Sequence, residues 1–259
     1  AYKEQRQGLG LSLGPRISEY FSLVFSYAYE NVRIYDVSTL VADSISEGKR
    51  LTSSFTSQII QDTRDNIFDA SRGMRNSASL QLAGFSILSG DVKFYKPIVR
   101  SSLFVPTFWK FVLSFNSTFG YIEGIDGFDL DNVKYEKFYV GGAETVRGYR
   151  YRELGPDDGG KVMFVFNTEY KFPIVQENRR TILQGALFYD LGGSWSEFSN
   201  VNFGIGGSED WNKNIWDNKL KQAVGFGIRF TTPVFPIRLD WAWALEPRPA
   251  RDSMQFWFT

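Results

Sequence analysis

Two residue types are missing from the sequence. Its 259 residues include no cysteine and no histidine. Without cysteine, no disulfide can support the fold. Without histidine, Ser-His and Cys-His nucleophile pairs and histidine metal sites are excluded. We therefore expect no enzyme, no metal site and no cofactor. A lipase or protease barrel is the weakest of the functional hypotheses, since those reactions generally use a histidine base.

Net charge and long apolar runs are missing as well. Lys and Arg number 29 and Asp and Glu number 29, which gives a formal charge of zero. A nucleic-acid-binding domain usually carries a basic face, so we expect no nucleic-acid partner. No apolar run reaches the roughly 20 residues of a membrane-spanning helix. If the chain spans a membrane, it must do so as a closed β-sheet. The first six residues carry no signal-peptide pattern, and we expect the chain to be a piece of a longer precursor.

Aromatic residues and glycine are abundant. Aromatics make up 17% of the chain and glycine contributes 24 residues. Many short segments alternate with period two between apolar and polar residues, as in Phe21, Leu23 and Phe25. They predict about eleven strands, each near the nine to eleven residues of a tilted spanning strand. A soluble sandwich shows the same alternation. The long, continuous aromatic face favours lipid, so the predicted fold class is all-β, a transmembrane antiparallel up-and-down β-barrel.

The connections between predicted strands alternate in length. One set is short to medium, at about 15–19, 63–75, 106–109, 173–180 and 232–236. The other set contains the long connections, at about 36–50, 123–161 and 196–218, together with two short ones at 89–90 and 246–252. Outer-membrane barrels have short periplasmic turns and longer extracellular loops. The pattern therefore places the connection at 123–161 on the extracellular side. Since bacterial barrels have even strand numbers, we expect further strands before this chain.

The connection at 123–161 contains a compact motif. Four consecutive residues follow a pair of glycines: Val146, Arg147, Gly148 and Tyr149, after Gly141 and Gly142. We predict that this loop folds back into the barrel and places Arg147 on its inner wall. The glycines are interpreted as positions of unusual backbone angle or close approach, although ordinary loop glycines are an equal alternative.

The motif, together with its flanking strands at 168–173 and 188–192, resembles the Val-Arg-Gly-aromatic signature of the BamA/TamA superfamily of outer-membrane assembly and translocation proteins. The resemblance extends from about residue 51 to the end, and more weakly from residue 9. It implies a sixteen-stranded barrel preceded by periplasmic POTRA domains, of which residues 1–259 would be the C-terminal barrel portion. The seam between first and last strands would be represented on one side only.

In that superfamily, the arginine of the motif pairs with acidic residues of neighbouring strands. The matching positions are Glu169 and Asp190, and both fall on the polar side of their predicted strands. An arginine can bind a carboxylate with two parallel hydrogen bonds. The alternative is that Arg147 lies on a solvated loop without a specific partner. On the same polar side, Gly225 and Gly227 would either leave room for the loop or mark a bend.

Two functional hypotheses follow from the resemblance. The first is an insertase that folds client β-barrel proteins into the bacterial outer membrane, with the lipid bilayer and accessory assembly lipoproteins as further partners. The second is a two-partner-secretion translocator of the same superfamily, which exports one client. Because both share the signature loop, Arg147 cannot distinguish between them.

Overall fold

The structure is a computed structural model that describes residues 3–35, 48–85, 90–177, 180–205, 219–230, 237–247 and 252–259. Within these ranges it is all-β, apart from two short 3-10 helices. The predicted connection at about 232–236, and parts of those at about 36–50, 173–180 and 196–218, lie outside the described residues. The strands are β1 (Lys3–Leu13), β2 (Phe21–Tyr35), β3 (Gly48–Asp62), β4 (Gly73–Ala83), β5 (Phe94–Pro106), β6 (Val112–Tyr121), β7 (Glu123–Gly124), β8 (Val162–Glu177), β9 (Arg180–Trp195), β10 (Lys221–Phe230), β11 (Ile237–Ala244) and β12 (Met254–Phe258).

The strands form one antiparallel sheet whose order follows the chain, from β1 to β6 and from β8 to β12. Only β7 leaves this order, because its two residues pair with β5. The eleven strands of the ordered path coincide with the segments that period two predicts. Among the described residues, β12 pairs with β11 alone and ends the path. The sequence missed β7, since two residues are too few to show a period.

Strands β8 to β12 have two chemically different faces. On the aromatic face, rings from neighbouring strands contact one another: Trp241 lies 5.2 Å from Phe226 and 5.1 Å from Phe256, measured between ring centroids. The register explains this row, because Phe226 pairs with Trp241 and Trp241 pairs with Phe256. The opposite face, which we call the loop face, carries most of the polar and small residues of the same strands, together with Phe188 and Trp257. Cross-strand aromatic pairs of this kind stabilise a sheet.

The chain divides into two compact units. The first contains residues 1–61, 77–99 and 120–137, and its buried core includes Phe94, Ile122 and Val133, each with no exposed surface. The second contains the remaining residues and buries Val140, Val146 and Val162 to the same extent.

A long connection joins β7 to β8 and includes a 3-10 helix at Leu130–Glu136. Its residues up to 137 belong to the first unit and those from 138 belong to the second. In the described part of the chain, no helix combines the length and the apolar character that crossing a membrane would require.

Candidate functional site

The motif at 146–149 is held in a tight local fold by its own glycines and threonine. Gly141 and Gly142 have φ angles of 106° and 108°, a region that residues with a Cβ rarely adopt. The Gly141 amide donates to Thr145 Oγ1 at 2.8 Å, and the Thr145 amide donates to the Gly142 carbonyl at 3.1 Å. These bonds shape the loop so that Val146 and Arg147 both point toward the loop face of β8–β11.

Arg147 makes a two-pronged bond with Asp190 of β9. Its Nε and one terminal nitrogen each donate to a different Asp190 oxygen, both at 2.7 Å. The Arg147 amide donates to the same carboxylate at 3.1 Å. Asp190 has no exposed surface and Arg147 is 4% exposed. This geometry makes a strong and directional pair, because two charge-assisted bonds share one orientation.

Two further carboxylates complete a buried ion cluster around this pair. The remaining terminal nitrogen of Arg147 donates to Glu169 at 2.5 Å and lies 3.4 Å from Asp240. Arg229 of β10 bonds the same two carboxylates, with 2.9 Å between its terminal nitrogen and Glu169. We call these five residues the Arg147 cluster. Each carboxylate accepts from at least one guanidinium, so no charge in the cluster is buried without a partner.

An aromatic ring and an amide fix the position of the guanidinium. The central carbon of the Arg147 guanidinium lies 3.5 Å from the centre of the Phe188 ring, which adds a cation–π contact. Asn167 donates to Asp190 at 2.8 Å and to the Thr145 carbonyl at 2.7 Å, so it joins the loop to the wall.

Burial alone would lower the pKa of Arg147, but Asp190, Glu169 and Asp240 raise it above its usual range. The cation is therefore permanent.

The rest of the motif rests on small residues of the loop face. A Cβ on Gly148 would lie 2.6 Å from the Ala223 Cβ and 2.6 Å from the Ala244 amide nitrogen. Only glycine fits there without a shift of the backbone. Val146 has no exposed surface and packs over Gly192, where a Cβ would lie 2.8 Å from the valine methyl group. Glycine and alanine on the wall therefore form the seat of the loop.

Tyr149 provides a second polar attachment. Its hydroxyl donates to the Glu246 carbonyl at 3.0 Å and lies 3.3 Å from a Glu246 carboxylate oxygen. The same carboxylate accepts from the side chain of Gln222 at 2.8 Å. Burial, and then the charge of Glu246, raise the pKa of Tyr149 above its usual range. The hydroxyl stays protonated and can donate this bond across the physiological pH range.

The structure thus brings Arg147 together with both acidic residues that the sequence singled out, Glu169 and Asp190. Sequence reasoning missed the contributions of Arg229 and Asp240, although both occupy polar positions of their strands. The space over Gly225 and Gly227 is filled from the wall itself: a Cβ on Gly225 would meet the Phe188 ring, and one on Gly227 would meet the Asp240 and Arg229 side chains. These two glycines make room for the partners of Arg147 and not for the loop.

The site is built to hold the loop in place, and its groups are not arranged for a reaction. Its charged groups are paired with one another, and the described residues hold no group of three His, Cys, Asp or Glu side chains arranged for a metal ion. The permanent cation, the shape of the loop and the small residues beneath it all act to fix one segment against β8–β11.

Comparison with known proteins identifies the family. The model of the Omp85 superfamily domain matches residues 1–259. The chain is 25% identical over 248 residues to the outer membrane protein assembly factor BamA of Nitratidesulfovibrio vulgaris, with 92% of this chain and 29% of that protein covered. It is 23% identical over 290 residues to BamA of Neisseria meningitidis serogroup B, with 99% of this chain and 36% of that protein covered. The chain therefore spans about a third of the length of these curated relatives.

A solved structure has the same fold. The crystal structure of BamA from Haemophilus ducreyi lacking POTRA domains 1–3 matches with a TM-score of 0.81 at 16% identity, covering 99% of this chain and 54% of that one. This likeness confirms the predicted fold class, an antiparallel all-β sheet of the outer-membrane barrel type. The family that the sequence motif indicated is also confirmed.

Proposed function

We propose, from the premise that this chain belongs to the Omp85 superfamily, that it forms the C-terminal barrel portion of an assembly factor of the bacterial outer membrane. The factor would fold and insert β-barrel proteins. The two bacterial relatives that are named assembly factors support this assignment. Membership of this family also means that the chain is not an enzyme. Client β-barrel proteins, the lipid bilayer and accessory lipoproteins would be its partners.

The observation that carries the proposal is the docked loop. The Arg147 cluster holds residues 138–161 against β8–β11 by buried charge-assisted bonds. We propose that this connection is an extracellular loop folded inward, as the sequence motif predicts. A loop fixed in this way would keep the curvature of the wall while an edge of the sheet opens.

The second element that we propose is the outer edge of β12, which would form one side of the seam between the first and last strands of the full barrel. An edge strand presents unpaired N–H and C=O groups, and these can pair with a strand from another chain. A client strand would gain main-chain hydrogen bonds by adding to this edge, without any energy-carrying cofactor. Growth of the client from such a template would end in its release as a closed barrel.

Replacement of Arg147 by Ala in the full-length protein tests this proposal. We expect the variant to insert several-fold less of a client barrel protein into outer membranes or reconstituted vesicles, scored by the heat-modifiable mobility of the folded client. The matched control is Arg150→Ala, because Arg150 lies in the same loop with an exposed side chain. Arg147→Lys keeps the charge and loses the two-pronged bond, so it should be intermediate.

Two results would count against the proposal. One is normal client insertion by Arg147→Ala when protease accessibility shows that the loop has left the wall. The other is normal insertion together with lost export of a single secreted protein, which would favour the two-partner-secretion translocator. If Arg147→Ala does not accumulate, the comparison between Arg147→Lys and Arg150→Ala decides the question.

A further inference from the structure

A tryptophan of the last strand bonds directly to the motif. The indole N–H of Trp257 donates to the Arg147 carbonyl at 2.6 Å. Trp257 pairs in register with Asp240, a member of the Arg147 cluster, and so lies on the loop face. Its neighbours Phe256 and Phe258 point the other way and are 50% and 69% exposed. Trp257 is therefore the residue through which β12 reaches the loop.

Strand β12 has few other attachments. It has five residues, and in the described part of the chain it pairs only with β11. A second link to the loop runs through Arg238, which donates to Glu144 at 2.6 Å and to the Thr259 hydroxyl at 3.1 Å. Glu144 is 76% exposed, however, and an ion pair with such an exposed partner contributes little. The partly buried indole bond is therefore the stronger connection.

The acceptor of this bond is unusually well fixed. The carbonyl belongs to Arg147, whose side chain makes three ion pairs. The same peptide unit joins Arg147 to Gly148, which packs against Ala244 of β11. Because a peptide unit is planar and rigid, the carbonyl can move only when the motif moves. Among the described residues, the pairing of β12 with β11 positions the donor. A change on either side must therefore break or strain the bond.

We propose that Trp257 is a positioning residue that couples the edge strand β12 to the docked loop. A docked loop offers the Arg147 carbonyl and strengthens the pairing of β12 with β11. By thermodynamic linkage, an ordered β12 favours docking by the same factor. If a client strand adds to the outer edge of β12, a step that rests on the proposed function, its binding would change how tightly the loop docks.

Hydrogen exchange in the full-length protein without any client tests the coupling. Trp257→Phe keeps an aromatic side chain, although a smaller one, and removes the donor. We expect exchange about threefold to tenfold faster at 254–258 and also at 144–149, as the net value of one hydrogen bond predicts. Arg147→Ala should speed exchange at 254–258 although it leaves β12 unaltered. The control is Trp243→Phe on β11. The Trp243 side chain contacts Phe226 on the aromatic face, so this variant should leave the exchange rate at 144–149 unchanged.

The proposal is overturned if Trp257→Phe loosens 254–258 while 144–149 exchanges at the wild-type rate. Trp257 would then only pack its own strand. Unchanged exchange at 254–258 in Arg147→Ala would overturn it from the other side, and this arm remains informative if Trp257→Phe fails to fold. Since no client is present, these results do not depend on the assembly assay, so a failed coupling and a failed proposed function can be told apart.

Discussion

The two halves of the long connection before β8 dock by opposite arrangements of charge. In the first unit, the cations lie on the strands and the connection supplies the acceptors. Arg50 donates to the Asn132 carbonyl, and the Lys96 ammonium donates to the Glu136 carbonyl at 2.6 Å. In the second unit, the cation lies on the connection and the strands supply three carboxylates.

This difference determines how much each half depends on a single residue. The first half buries apolar side chains, with Leu130 2% exposed and Val133 fully buried, and apolar burial is spread over many contacts. Its polar bonds are divided between two cations, Arg50 and Lys96, each of which bonds a backbone carbonyl and a side-chain oxygen of the connection. The second half concentrates its docking on one buried guanidinium, and a buried charge that loses its partner is costly. We therefore expect the second half to fail at single substitutions that the first half would tolerate.

The largest effect is expected at Asp190. Asp190→Ala removes the two-pronged partner of Arg147 and leaves that guanidinium buried. Removing one member of a buried pair costs about 3–5 kcal/mol, and the remaining carboxylates Glu169 and Asp240 should hold the loss near the lower end. The measurement is denaturant unfolding of the full-length protein, together with trypsin cleavage within 138–161. Asp157→Asn, an exposed carboxylate of the same connection, is the control. Wild-type stability and protection in Asp190→Ala would show that the cluster does not hold the loop.

A smaller effect is expected at Gly148. Its Cβ would meet Ala223 and the Ala244 backbone at 2.6 Å, so Gly148→Ala must lift the motif from its seat while every charged group remains. Forcing one methyl group into a packed site costs about 1–3 kcal/mol. Trypsin cleavage in the loop measures the lift. Gly10→Ala is the control, because a Cβ there would meet only the Tyr27 carbonyl at 3.8 Å. Equal protection of the two variants would mean that charge alone fixes the loop.

Much of this arrangement could be predicted from the sequence, because parity determines the face on which each side chain lies. The resemblance to the superfamily singled out Glu169 and Asp190 as partners of Arg147, and their parity agreed with it. Parity does not give register, however. Register sets Gly227 opposite Asp240 and brings Arg229 into the Arg147 cluster. Hydrogen bonds to backbone carbonyls carry no sequence signal either. The positions of Trp257 and Lys96 could therefore be assigned to a face, but their acceptors on the loop could not.

The smallest effect is expected in the first unit, at Lys96. Lys96→Met keeps the apolar stem of the side chain and removes the bonds to the Glu136 carbonyl and, at 3.3 Å, to its carboxylate. The loss should be about 1.5 kcal/mol, the lower end of the range for hydrogen bonds to charged groups, since the ends of both side chains keep some contact with water. Hydrogen exchange at 130–137 measures it. Lys93→Met is the control, because its pair with Asp126 is exposed and such pairs contribute little. If Lys96→Met undocked 130–137 as completely as Asp190→Ala undocks 138–161, apolar burial would not be what holds the first half, and the contrast between the two halves would have to be abandoned.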